Sequence, residues 1–139
     1  KLKAGVEAGD ITTTGHLSDL IDKSFPQNLQ KKIKTLVFQS LRMAVNHEMD
    51  ALEEMLEQTL DVLDKDAILA IISYHSIEDR LVKNFMKAGN LTGTVEKDFF
   101  GVENTPFEKV TRKPLLPSEE EVEDNPRARS AKLRVVRKK

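Results

Sequence analysis

The stretch Ile68-Leu-Ala-Ile-Ile-Ser-Tyr-His-Ser-Ile-Glu-Asp-Arg80 passes from an unbroken apolar run, through four polar or aromatic residues, straight into a charged helix start. Residues 68–72 do not alternate with polar ones, which predicts a strand covered on both faces, the habit of a central parallel strand in an α/β sheet. Ligands of such sheets bind beyond the carboxyl ends of the strands, so Ser73, Tyr74, His75 and Ser76 stand where chemistry is expected. Ser76 is placed to cap the next helix, with Asp79 three residues on completing an approximate capping box. The first N–H groups of that helix point back at the same place. Leu81, Val82, Phe85 and Met86 form its buried stripe, and Gly89 is placed to end it.

Upstream, Asp64-Lys-Asp66 reads as a tight turn, so helix, turn, buried strand and helix follow one another as in a doubly wound fold. Before the turn, Leu41, Ala44, Val45, Leu52, Met55, Leu56, Leu60 and Leu63 recur at helical spacing. They predict one long helix over residues 29–63, or two with a bend near Asn46. Its methionines read as core fillers, and Gln39, Arg42, Asn46 and His47 lie on the face that the stripe leaves open. Earlier still, Thr12-Thr-Thr-Gly15 and His16-Leu-Ser-Asp-Leu-Ile-Asp22 read as a turn and a small helix, broken by Phe25-Pro26. The first residue is lysine and the opening segment carries no helix-start signal, so a trimmed chain, or one beginning mid-protein, is expected.

Downstream of Gly89 the pattern loosens. Gly93, Gly101, Asn104 and Pro106 mark loops, with a weak apolar patch at residues 95–100. Residues 107–116 alternate enough for a strand that ends at Pro114 and Pro117. Pro117-Ser-Glu-Glu-Glu predicts a helical turn capped by Ser118 and closed by Asn125-Pro126, and residues 131–136 read as a last strand with Leu133 and Val135 on one side.

A length of 139 residues fits one domain, and the apolar fraction of 39% suffices for a core though it is low for a self-contained α/β domain. The absence of cysteine excludes disulfides and thiolate metal sites and suits a reducing compartment. No segment approaches the roughly 20 apolar residues of a membrane span and no signal pattern opens the chain, so a cytoplasmic location without a membrane is expected. The net charge of −1 gives no global argument for nucleic acid. Its distribution is uneven: residues 118–124 are acidic, whereas residues 125–139 carry Arg127, Arg129, Lys132, Arg134, Arg137, Lys138 and Lys139 with no acid. Such a tail meets phosphates in some proteins and pairs with its own acids in more.

Four stretches then coincide, in order, with one family. Thr12-Thr-Thr-Gly15 with Leu17 and Leu20-Ile21, Phe38-Gln-Ser-Leu-Arg-Met-Ala-Val-Asn46 with Glu48, Ile72-Ser-Tyr-His-Ser-Ile-Glu-Asp-Arg80 with Val82-Lys83, and Pro117-Ser-Glu-Glu-Glu with Asn125-Pro-Arg-Ala-Arg-Ser-Ala-Lys-Leu-Arg134 closely resemble the ribosomal RNA small subunit methyltransferase H family. The resemblance covers nearly the whole chain but only the later part of the family pattern. It implies an α/β fold, the C-terminal part of a class I (Rossmann-like) S-adenosylmethionine-dependent methyltransferase, preceded by the end of an inserted helical domain. Residues 1–28 would end the insertion and residues 29–139 would be the returning methyltransferase domain. The implied reaction is methylation of the exocyclic amine, N4, of a cytidine in small-subunit (16S) ribosomal RNA, with the 30S subunit as partner; a homodimer is compatible with it.

The family's Gly-rich cofactor loop and the acidic residue after it lie upstream of the Thr-Thr-Thr-Gly stretch and are absent here, and Gly5, Gly9 and Gly15 are not framed as a nucleoside cradle. S-adenosylmethionine is therefore expected to serve the intact protein and not to bind this chain alone. Tyr74 stands where phenylalanine is usual in the family, and Asp64-Lys-Asp66 replaces a Pro-Gly-Gly type turn.

Methyl transfer to an exocyclic amine is displacement by a poor nucleophile whose lone pair is conjugated into the ring, so the site must orient the amine and offer acceptors to its N–H groups. A base in folded RNA must also be presented unstacked, held by hydrogen bonds and stacking. With the resemblance, Ser73, Tyr74, His75 and Ser76 are the candidate catalytic group, Tyr74 to stack and His75 or Ser73 to hydrogen-bond. A structural role for His75 stands beside that one. Glu78 and Asp79 read as substrate-side residues or as helix-start charges, and Arg80 as a partner to one of them or to a phosphate. Arg42 and Asn46, one turn apart, suit a nucleotide contact. Asn125, Arg127, Arg129 and Ser130 suit RNA backbone or the wall of the site, the two arginines projecting alike only if that segment is extended. A non-enzymatic RNA-binding or ribosome-assembly module is the alternative, supported by the basic C-terminus. A serine hydrolase using Ser73 or Ser76 with His75 lacks the glycines of a nucleophile elbow.

Overall fold

A computed structural model describes Gly9 and residues 11–139; the expectations for residues 1–8 lie outside them. The chain forms two compact units, Lys1–Glu48 and Met49–Lys139.

In the first unit, helix α1 (Thr14–Ser24) starts where the Thr13 hydroxyl accepts the His16 N–H at 3.1 Å, satisfying one of the orphan donors of the first turn. Pro26 cannot continue it and instead precedes helix α2 (Gln27–Val45). The corner is tied by the Gln30 amide, which donates to the Asp22 and Phe25 carbonyls, and by the Lys34–Asp22 ion pair at 2.6 Å. Leu17 and Ile21 are buried between the helices, while α2 itself has no fully buried residue. The open choice between one helix and two is resolved as two: α2 stops at Val45, His47 takes a left-handed φ of 51°, and helix α3 (Glu48–Val62) follows.

In the second unit, strand β1 (Ile68–Ser73) leads into helix α4 (Ser76–Ala88), followed by a small hairpin of β2 (Glu96–Lys97) and β3 (Glu103–Asn104). Strand β4 (Phe107–Lys109), helix α5 (Glu119–Asp124), a 3₁₀ turn (Pro126–Ser130) and strand β5 (Lys132–Lys138) complete it. The sheet order is β1-β5-β4, with β5 antiparallel to both neighbours. Leu69, Phe107 and Val136 face α4 and close on Leu56 of α3 and on Val82, Phe85 and Met86 of α4; the Phe85 and Phe107 rings lie 5.6 Å apart. Leu52, Leu60 and Leu63 flank the same core, as the helical stripe predicts.

The strand itself differs from its reading. Among the described residues β1 pairs on one edge only, its neighbour is antiparallel, and the face carrying Ile68 and Ile72 remains 52% and 54% exposed. An unbroken apolar run reports that both faces are suited to burial; it does not say that the covering elements are among these residues. The turn before it forms as read, with Asp66 at φ 67° and the Ala67 N–H bonded to the Asp64 carbonyl.

The predicted strand over residues 107–116 is interrupted. The N–H groups of Val110 and Thr111 both reach the Val135 carbonyl, two residues against one, which is a β-bulge, and pairing resumes only as the Leu115–Leu133 bridge. The loops read between Gly93 and Pro106 contain the β2–β3 hairpin, too short to leave an alternating signal, and the apolar patch is its exposed tip, Phe99 and Phe100.

Gly89 ends α4 in the left-handed region at φ 74°, and a Cβ there would lie 2.4 Å from Pro106 Cγ. Gly89→Ala combines backbone strain with a clash, so we expect a loss of about 1–3 kcal/mol, measurable as a lowered midpoint in chemical denaturation.

Candidate active site

The polar turn at the carboxyl end of β1 is held by its own side chains. His75, not Ser76, is the N-cap of α4: its Nδ1 accepts the Glu78 N–H at 3.3 Å, while Glu78 Oε2 accepts the backbone N–H groups of Tyr74 and His75 at 3.0 and 3.3 Å. This is a capping box one residue earlier than the sequence suggested, with imidazole in place of hydroxyl and Glu78 in place of Asp79. Because Nδ1 accepts, the ring proton sits on Nε2, which lies 3.1 Å from Glu78 Oε1 but is not aligned for a hydrogen bond. Ser76 is the first helical residue and is exposed.

The two carboxylates therefore divide. Glu78 clamps the turn. Asp79 turns the other way and is 9% exposed, bonded by Arg134 Nε at 2.8 Å and Nη2 at 3.2 Å, with Lys132 Nζ at 3.3 Å. The Arg134 hydrogen bond holds the Asp79 carboxyl below the ordinary carboxylate range, against the opposing effect of its burial. Arg80 is exposed and makes no ion pair with any described residue.

The strand-end residues face in opposite senses. Ser73 shares the covered side with Leu69 and is 3% exposed, its hydroxyl without a hydrogen-bond partner, whereas Tyr74 is 57% exposed. Ser73 pairs in register with Lys132, so the segment 126–134 abuts the segment 72–80 directly. Within it, Asn125 caps the 3₁₀ turn by accepting the Arg127 N–H at 3.3 Å. Arg127, Arg129 and Ser130 are exposed. With three residues per turn, Arg127 and Arg129 do not project alike, as an extended segment would have required.

In the first unit, Thr12, Thr13 and Thr14 share a cavity of about 510 Å³ with Phe38, Leu41, Arg42, Val45 and Asn46. Arg42 and Asn46 reach its wall already engaged: Arg42 makes a two-pronged contact to the Glu48 carboxylate at 2.8 and 2.9 Å, and the Asn46 amide donates to the same group at 3.2 Å.

Sequence reasoning missed the Asp79–Arg134–Lys132 cluster, whose partners lie more than fifty positions apart. A signal was present. Placing Leu133 and Val135 on one side of a strand puts Lys132 and Arg134 on the other, with Val136, and cations on a core-facing side require an acid.

A Cβ on Gly89 or Gly93 would clash with Pro106 or Asn84, so these two glycines serve internal packing, whereas one on Gly15 would meet only the Thr13 hydroxyl, at 3.6 Å. We expect calorimetry of this chain with S-adenosylmethionine to give no binding; micromolar affinity would contradict this.

Comparison with known proteins carries the reading further. The chain is 50% identical to the ribosomal RNA small subunit methyltransferase H of Parabacteroides distasonis over 132 residues, 95% of this chain and 43% of that protein. It is 50% identical to the protein of the same name from Flavobacterium psychrophilum over 133 residues, 96% of this chain and 45% of that one. The chain thus spans less than half the length of these relatives. No helix among the described residues is long and apolar enough to cross a membrane. A model of the MraW methylase family matches residues 2–139, and the chain belongs to that family.

Proposed function

We propose that the chain is the later part of an S-adenosylmethionine-dependent enzyme that methylates the exocyclic amine, N4, of a cytidine in small-subunit ribosomal RNA. The observation that carries this is the interlocking of two stretches: segment 72–80 and segment 126–134 meet through the Ser73–Lys132 pairing and the Asp79–Arg134 contact, at the carboxyl end of a strand. That is where α/β sheets hold ligands. Family membership and the relatives' names supply the reaction class.

The fold proposed for the intact protein is a class I methyltransferase. Its remaining strands would extend the sheet from the free edge of β1, and the helices connecting them would cover the face carrying Ile68 and Ile72. S-adenosylmethionine, held by residues outside this chain, supplies the methyl group. This chain's residues present the base. Tyr74 offers an exposed ring for stacking, and its backbone is fixed because Glu78 holds the Tyr74 and His75 N–H groups. His75 is assigned as a positioning residue acting through the cap. Ser73, on the covered side, is assigned to the wall of the site; Arg80, Arg127, Arg129 and Ser130 are exposed beside it and suit the RNA backbone. Arg42 and Asn46 line the first unit's cavity, where the threonine hydroxyls and an apolar wall suit a nucleotide.

The test is transfer of labelled methyl from S-adenosylmethionine to small subunits by a protein of the relatives' full length. Label in the RNA is expected. RNA binding without transfer would favour the assembly-module reading, which the exposed cations alone support.

A further inference from the structure

A second cavity, of about 170 Å³, opens on the helix side of the sheet, away from the β1 turn. Lys83 and Lys87 of α4, Lys109 at the end of β4, Thr111 and Arg112 beyond it, and Arg134 of β5 surround it. Met86 and Val136 form its apolar floor. Five cations line it and no acid does, in a chain whose net charge is −1. Lys83, Lys109 and Arg112 make no ion pair with any described residue, and Lys87 reaches only the Gly93 carbonyl at 3.3 Å.

Two features build this site. The bulge at Val110 and Thr111 adds one residue to the chain opposite Val135, which re-aims the backbone beyond it and brings Thr111 and Arg112 to the same cavity as Arg134. Asp79 grips Arg134 through Nε and Nη2, fixing the guanidinium plane. Only two of its five N–H groups are used, so Arg134 enters the cavity oriented and with donors to spare. Arg134 is paired with Asp79, but the four other cations are gathered without an acid and repel one another, and an anion relieves that repulsion.

We propose that this cavity binds a phosphodiester of the RNA backbone, as a docking contact separate from the strand-end site. Along α4, Lys83 lies about 10 Å and Lys87 about 16 Å from Ser76, at 1.5 Å per residue. The contact therefore engages nucleotides flanking the one held at Tyr74. Mixed arginine and lysine donors around an open cavity suit phosphate oxygens, which carry no sequence information. The inference rests on the proposed RNA substrate, but binding and turnover separate the two.

The experiment uses the full-length protein, wild type, with Lys109→Gln plus Arg112→Gln, and with Lys65→Gln as a single charge-reducing change at an exposed turn, the effects being compared per cation removed. Small-subunit RNA affinity is measured across a salt series, with circular dichroism to verify folding. In the double variant, affinity near 0.1 M salt should fall roughly five- to tenfold for each cation removed, and the log–log salt slope should flatten by about one per cation. KM for RNA should rise while kcat at saturating RNA holds, and Lys65→Gln should match wild type. If no methylation occurs but the binding pattern is as stated, the docking site stands and the catalytic reading falls. An unchanged salt slope in the double variant, an equal loss in Lys65→Gln, or competition by polyglutamate as effective as competition by RNA would overturn the proposal. Should the double variant misfold, Lys83→Gln, on the exposed side of α4, carries the same test with one unit of slope.

Discussion

Asp79→Ala is expected to lower the stability of the protein by about 2–4 kcal/mol, somewhat less than the loss from breaking a fully buried pair. The side chains of Asp79 and Arg134 are 13% and 17% exposed, and Arg134 and Lys132 would be left on the helix side of the sheet with no acid. Asp79→Asn keeps an acceptor for one Arg134 N–H and should lose less. The effect depends on pH with a definite sign. The folded pKa of Asp79 is lowered, so the carboxylate contributes stability above its unfolded value of about 3.9, and that contribution disappears as pH falls through the folded value. The gap between wild type and Asp79→Asn should thus be full at neutral pH and close progressively below about pH 4, in denaturation curves collected across that range.

Tyr74→Ala in the full-length enzyme is expected to lower methyl transfer to small-subunit RNA by roughly 5- to 150-fold, the range of a lost base stack of about 1–3 kcal/mol. Tyr74→Phe keeps the ring and should stay near wild type. His75→Ala removes the side-chain cap of α4, which costs about 1 kcal/mol and loosens the turn that carries Tyr74, although Glu78 still holds its N–H. It should reduce kcat without unfolding the protein. Serine is also a good cap, so His75→Ser should recover most of the loss if imidazole acts by positioning. A His75→Ser enzyme as impaired as His75→Ala would move His75 from positioning to direct contact, and unchanged turnover in His75→Ala would remove it from the site.

Much of this architecture is legible in the residues. Helical periodicity located the helical stretch, because Leu52, Leu56, Leu60 and Leu63 must share one side to reach the core, but left open whether it breaks near Asn46. Gly89 and Ser118 marked their helix ends through local chemistry that needs no tertiary context. The cap of α4 was misplaced by one residue because serine is the commoner cap, and nothing local says that the His75 ring will turn its Nδ1 onto the Glu78 N–H. Long-range facts were less accessible. Charge runs suggested a basic tail, yet Lys132 and Arg134 bind Asp79, Lys138 donates to the Leu60 carbonyl and Lys139 to Thr105. The cations that do cluster around a cavity come from α4, from β4 and the segment after it, and from β5, and only Arg134 among them belongs to the basic run. Antiparallel pairing of β1 with β5 was equally hidden, since an apolar strand carries no mark of its neighbour's direction.

The identity of the methylated atom tests the central claim most directly. Small subunits labelled by the full-length protein from methyl-labelled S-adenosylmethionine can be digested to nucleosides and analysed by mass spectrometry. Label in N4-methylcytidine is the predicted result. Label on a ring carbon, on a ribose 2′-hydroxyl or on a nucleoside other than cytidine would contradict it.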